Sequence, residues 1–162
     1  MSKPWLTFDC YDTLVRYSEG KAAALATLVR KKGGDDTAVD RAQSAFEACE
    51  KKLQLGPFII LNAVLRKSLH AGLEAAGLTI TASDEETIIK AVKLSEPFPD
   101  TGPALADLKR DFRLAILSNS EPEIIRHNIA SIGIEFDAVV LAAEAKCYKP
   151  APGMFHELLK RI

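Results

Sequence analysis

Asp9 and Asp12 flank a tyrosine at the end of a short apolar run, Trp5-Leu6-Thr7-Phe8-Asp9-Cys10-Tyr11-Asp12-Thr13. An aspartate at a strand end can act as a nucleophile if a cation keeps it ionised in a partly dry site. Lys149, in Tyr148-Lys149-Pro150, is the candidate cation. Ser118 and Asn119, just ahead of a helical pattern, supply hydroxyl, amide and backbone N–H donors for an anion. Each residue alone has a plainer explanation. A strand-end aspartate is often a turn former, a serine a helix cap, and a lysine before proline a solvated surface group. The combination in this order is far more specific than any member.

These groups need strands and helix termini to position them. Residues 4–9, 114–118 and 137–142 read as short strands, and continuous apolar runs suit strands buried on both faces of a parallel sheet. Pro99-Asp100 and Pro103 open a helical segment with Leu105, Leu108 and Phe112 on one face. Ser120-Glu121-Pro122-Glu123 reads as a helix start, with Ser120 as cap and Gly133 as stop. A further helix opens at Pro150 or Pro152 and carries Met154, Phe155, Leu158 and Leu159. From about 18 to 97 no strand is evident; helices are expected near 20–32, 36–54, 58–76 and 83–95, the last opened by a Ser83/Glu86 capping box. Val39, Ala42, Phe46, Cys49 and Leu53 share one face of the second. The expected layout is a discontinuous α/β core, residues 1–16 and 97–162, interrupted by a helical cap, 17–96. Ligands of such open parallel sheets bind beyond the carboxyl ends of the strands, where Asp9, Thr13, Ser118, Asn119 and Lys149 cluster.

Composition excludes several classes. The formal net charge of -1 offers no electrostatic footprint for nucleic acid or an anionic membrane. No apolar run approaches a membrane span, and Met1-Ser2-Lys3-Pro4-Trp5 lacks the apolar stretch of a signal peptide. Cys10, Cys49 and Cys147 are an odd number without close spacing, which argues against a disulfide framework or thiolate metal site and for a reducing cytoplasm.

Phe8-Asp9-Cys10-Tyr11-Asp12-Thr13-Leu14, Leu117-Ser118-Asn119-Ser120 and Tyr148-Lys149-Pro150 resemble the three motifs of the haloacid dehalogenase superfamily, in its order. The segment 99–110 and the size and position of the helical insertion are similar too. The resemblance implies a Rossmann-like parallel sheet with the cap inserted after the first strand. Phosphatases of the superfamily carry a second aspartate at the position of Tyr11, as general acid, and hold Mg²⁺. A phenol is a poor acid at neutral pH and a poor ligand for a hard cation. Asp9-x-Tyr11-x-Thr13 therefore looks like the L-2-haloacid dehalogenases, which use no metal and no cofactor.

That resemblance implies that Asp9 attacks the Cα of a short 2-haloacid and that water then hydrolyses the aspartyl ester. Thr13 is expected to hold Asp9 through its hydroxyl or backbone. Lys149 would keep Asp9 charged, and Ser118 and Asn119 would bind the substrate carboxylate. Arg41 on the cap's second helix is the expected halide acceptor, with a solvated helix arginine as the alternative. Tyr11 and Phe58 would contribute to the substrate pocket, and a homodimer is expected. His70, His127 and His156 match no motif.

Three departures from the family pattern stand out. Asp12 occupies a position that is often glycine, and is read as a turn residue pointing away from the pocket. Phe155 replaces a frequent tyrosine. The chain stops at Ile162, where the family continues into a fourth strand and fourth motif; a C-terminally truncated chain, or one completed by a partner, is the expectation, with the fourth core strand missing. A phosphatase of small phosphorylated metabolites and an inactive binding chain remain the competing functions.

Overall fold

Three parallel strands carry the α/β part of the chain: β1 (Trp5–Phe8), β2 (Arg113–Ser118) and β3 (Ala138–Leu141), in the order β1-β2-β3. The structure is a computed structural model that describes residues 3–162. Phe8 is in register with Ile116, and Ser118 with Leu141, so the carboxyl ends of all three strands lie along one edge. β2 is buried from Leu114 to Ser118, as its unbroken apolar run requires of a central strand. Trp5 of β1 is half-buried, and the Arg113 guanidinium lies 4.1 Å from its ring centroid.

Among the described residues eight helices accompany the strands: α1 (Tyr17–Lys31), α2 (Asp36–Gln54), α3 (Leu61–Ala75), α4 (Ala82–Lys93), α5 (Thr101–Leu108), α6 (Pro122–Ile132), α7 (Ala142–Ala145) and α8 (Pro152–Leu159). Contacts divide the chain into two units. One holds the chain up to Tyr17 together with Ser95–Ile162; the other is Ser18–Leu94.

The α/β unit closes around Leu105 of α5, Leu114 and Ile116 of β2, Ile125 and Ile132 of α6, and Leu141 of β3, with Cys10, Leu14 and Val15 beside them. Leu108 and Phe112 join this core as the helical spacing requires. α6 starts with Pro122 in its first turn and ends at Gly133, whose φ of 73° is a left-handed conformation that costs glycine little. Ser120 is not its cap. The residue at that position is Glu121, without a side-chain capping bond, because the Ser120 hydroxyl is engaged elsewhere. On α8 the inward face carries Met154 and Leu158 alone. Phe155 and Leu159 lie on the adjacent stripe and are exposed. The short helix α7 has no periodic signal in four residues and was not foreseen.

Where the chain leaves and re-enters this unit, its two crossings pair. Val15 bridges Pro97 in antiparallel sense, Arg16 N–H donates to the Glu96 carbonyl at 2.9 Å, and Phe98 N–H donates to the Leu14 carbonyl at 3.1 Å. The Thr101 hydroxyl also donates to the Leu14 carbonyl at 2.9 Å.

Within the helical unit, α2 and α3 pack closely. Ala38, Val39, Ala42 and Phe46 are buried on α2, and Leu61, Val64, Leu65, Leu69 and Leu73 on α3. Gly72 makes the close approach feasible: a Cβ there would lie 2.8 Å from the Ala42 carbonyl oxygen. Lys21 and Glu50 form a buried ion pair, with the ammonium 5.2 Å from the Phe46 ring centroid. The capping box of α4 is Thr81 with Asp84, not Ser83 with Glu86. Asp84 accepts the Thr81 N–H at 2.7 Å and pairs with Lys32 at 2.8 Å. Burial disfavours its charge, but Lys32 and Thr81 outweigh that and hold the carboxyl below the usual range. No helix among the described residues is long and apolar enough to cross a membrane.

Candidate active site

Asp9 follows β1 directly, at the strand's carboxyl end. Its Oδ1 accepts the Cys10 N–H at 2.8 Å and lies 2.7 Å from the Lys149 ammonium. The Asp9 side chain is 43% exposed and that of Lys149 21%, so the carboxylate is reachable while its cation is largely covered. Lys149 Nζ also donates to the Leu117 carbonyl of β2 at 2.7 Å. A charge-assisted bond on one side and a strand carbonyl on the other orient this ammonium.

Asn119 stands one residue past β2 and turns its amide toward the Lys149 backbone. Its Oδ1 accepts the Lys149 N–H at 2.6 Å, and its Nδ2 faces the Lys149 carbonyl at 3.4 Å. Ser118, at the end of β2, is fully buried, and its hydroxyl has no hydrogen-bond partner among the described residues. Such an orphan is costly unless a ligand satisfies it.

Tyr11 turns its hydroxyl away from Asp9. It lies 2.7 Å from the Ser120 hydroxyl and 3.5 Å from Asn128 Oδ1 on α6, both buried residues. Its ring stacks on Tyr17, with centroids 4.3 Å apart and planes 21° apart. Burial raises its pKa well above the ordinary value, against the hydrogen bond to Ser120 and with the charges of Cys10, Glu121 and Asp9 adding to it. The group is therefore a neutral phenol. Cys10 is buried beside the carboxylate; burial, then the Asp9 charge, push its thiol up to about 12 against the pull of Lys149. It stays protonated and does not compete as a nucleophile. Asp12 is exposed, with φ of 57°. That left-handed conformation favours glycine and tolerates aspartate, which gives position 12 a backbone role.

The structure thus brings Asp9, Lys149, Ser118 and Asn119 to one edge of the sheet and seats Tyr11 beside them. Thr13 does not hold Asp9. It is exposed, its N–H faces the Cys10 carbonyl at 3.4 Å, and the Asp9 oxygen is held by Cys10 N–H and Lys149 instead. Asn119 spends its side chain on Lys149 rather than on an open anion site. Arg41 and Phe58 belong to the helical unit: Arg41 is exposed on α2, and Phe58 is half-buried in the segment before α3. Ser120 and Asn128 were missed as site residues. Asn128 had a signal, a polar residue on the buried stripe of Ile124, Ile125 and Ile132.

Comparison with known proteins places this geometry. The chain is 27% identical over 150 residues to haloacetate dehalogenase H-2 of Moraxella sp. (strain B), a match covering 91% of the chain and 66% of that protein. The structure of L-2-haloacid dehalogenase from Xanthobacter autotrophicus superposes with a TM-score of 0.78 at 25% identity, covering 99% of this chain and 64% of that one. The chain therefore spans slightly less than two thirds of both relatives. The structure of the HAD-like protein YfnB of Bacillus subtilis, bound to magnesium, has a TM-score of 0.83 at 17% identity, covering 100% of this chain and 75% of that one, a likeness of fold. The family model of the haloacid dehalogenase-like hydrolases matches residues 5–162. With this match over nearly its whole length, the chain belongs to the haloacid dehalogenase-like hydrolases.

Proposed function

We propose that this chain carries out metal-independent cleavage of the carbon–halogen bond of short 2-haloacids through an aspartyl ester. One observation carries the reading. Asp9 is paired with Lys149 at 2.7 Å, while the residue two positions on is a tyrosine whose hydroxyl is engaged by Ser120. The Asp9 site thus has a charged nucleophile and lacks the second carboxylate that phosphate chemistry uses as acid and as cation ligand. Mg²⁺ takes oxygen donors, chiefly carboxylates and substrate phosphates. Tyr11 offers no such carboxylate at the position where the phosphatase pattern carries one.

In the proposed reaction an Asp9 carboxylate oxygen forms a bond to the substrate Cα as the carbon–halogen bond breaks. Halide leaves with the electron pair and needs no proton, and the carbon is inverted. Water then adds to the Asp9 carbonyl carbon, the acyl C–O bond breaks, and a 2-hydroxy acid departs as Asp9 regains its carboxylate. The buried Ser118 hydroxyl and the backbone N–H groups ahead of α6 would receive the substrate carboxylate. The Tyr11 ring would form part of the pocket wall. Arg41 as halide acceptor and Phe58 as apolar wall are proposed from the family resemblance, as are a homodimer and a cytoplasmic location.

Incubation with 2-chloropropionate, with and without EDTA, followed by a chloride assay tests the proposal. Chloride release insensitive to EDTA is expected. Magnesium-dependent phosphate release from an aryl phosphate, without halide release, would overturn it in favour of a phosphatase.

A further inference from the structure

We propose that Asn119 is a positioning residue for Lys149: its side-chain amide clamps the Lys149 peptide and thereby sets the ammonium against Asp9. Lys149 lies in the segment between α7 and α8, outside the sheet, whereas Asp9 directly follows β1 at the sheet's other side. Its side chain must reach across the end of β2. A lysine side chain carries much rotamer entropy, so a defined ammonium needs a fixed backbone as well as a fixed tip. Neighbouring residues at the end of β2 supply both. The Leu117 carbonyl accepts from Nζ at 2.7 Å, and Asn119 Oδ1 accepts from the Lys149 N–H at 2.6 Å. The Asn119 amide nitrogen faces the Lys149 carbonyl at 3.4 Å, so both polar ends of the amide address one residue.

This changes the division of labour at the end of β2. The Asn119 side chain faces the cation's backbone, and its fixed oxygen would repel a substrate carboxylate placed beside it. The orphan hydroxyl of Ser118 and backbone N–H groups are left to bind that anion. The inference rests on the haloacid reading for its catalytic consequence, and on geometry alone for the clamp.

Two measurements on the unliganded chain test the clamp. In the first, a carbodiimide activates Asp9 as an O-acylisourea. Lys149 Nζ displaces the urea and forms an amide, with net loss of one water, and the crosslinked peptides are quantified by mass. The second is hydrogen exchange at the Lys149 amide. Asn119→Ala is expected to lower the crosslink yield and to speed exchange by about tenfold, the ratio that one lost hydrogen bond sets. Asn119→Asp retains the acceptor and is expected to retain amide protection. Unchanged crosslinking and exchange in Asn119→Ala would overturn the clamp.

A double-mutant cycle on the rate of haloacid adduct formation then tests the catalytic consequence. Asn119→Ala should slow the reaction about tenfold with Lys149 present and have no effect in a Lys149→Met background. Equal losses in both backgrounds would overturn the proposal in favour of direct substrate contact. Absence of any adduct in the unmutated chain would sink the haloacid reading, and crosslinking and exchange would still decide the clamp.

Discussion

Lys149 Nζ lies 2.7 Å from Asp9 Oδ1 and 2.7 Å from the carbonyl oxygen of Leu117, so a single ammonium ties together the ends of β1 and β2. Residues near opposite ends of the chain become one ion pair only after the sheet has formed. Asp9→Asn is expected to abolish the covalent adduct with 2-chloropropionate. Lys149→Met should slow its formation by about a hundredfold, the scale of losing one preorganised charge. Intact-mass analysis over time measures both. A Lys149→Met variant as fast as the parent would remove the lysine from the chemistry.

Tyr11 separates ring from hydroxyl. Since its oxygen faces Ser120 and Asn128, Tyr11→Phe should leave adduct formation within about threefold of the parent. It should nonetheless reduce folding stability by about 1–2 kcal/mol, because buried polar partners lose their hydrogen bond. Urea unfolding beside the kinetic assay checks this split. A large rate loss without a stability loss would mean that the hydroxyl contacts substrate.

The α2–α3 contact yields a prediction confined to the helical unit. An alanine at position 72 brings a Cβ to 2.8 Å from the Ala42 carbonyl oxygen. Alanine gains about 1 kcal/mol of helix propensity over glycine, but overpacking a backbone contact costs about 1–3 kcal/mol. Gly72→Ala should therefore lower the thermal midpoint, read by circular dichroism. A raised midpoint would show that the helices separate at little cost.

Acid stability should depend on Asp137. The Leu114 N–H donates to its carboxylate at 2.9 Å, and Lys109 and Arg113 add to that bond against desolvation, so its pKa lies below the ordinary 3.8. The folded pKa is the lower one. Its contribution is thus fully present above the ordinary value and is lost as pH falls below it. Asp137→Asn should lose about 1 kcal/mol at pH 7 and show a flatter stability profile through the acid limb. Denaturant unfolding from pH 7 to pH 3 measures the difference between the two curves.

The sequence made the strands and most helices legible for a simple reason: burial leaves a periodic mark. β2 is continuously apolar from Leu114 to Leu117 because it is central, and α6 carries its start at Pro122 and its stop at Gly133. Asp9 and Lys149 were legible as a pair because motif order survives in a linear chain. Side-chain direction was not. Nothing in the linear text distinguishes an asparagine that binds a ligand from one that binds a neighbouring peptide, as Asn119 shows. Ser120 does not cap α6: its hydroxyl faces Tyr11, and Glu121 stands at the cap position, while Cys10 N–H is the backbone donor that faces Asp9 Oδ1. The α4 cap shifted from Ser83 to Thr81, a matter of two residues with equivalent chemistry.

The paired crossings at Val15 and Pro97 have a consequence for descent. With Arg16 bonded to Glu96 and Leu14 to Phe98, the chain departs from the α/β unit and returns to it at a single doorway. To the sheet, everything between those positions is topologically one loop, whatever its length or content. Insertions, losses and exchanges of helices there need no rethreading of strands. A change of length in that segment leaves the strand ends beside Asp9, Asn119 and Lys149 in place.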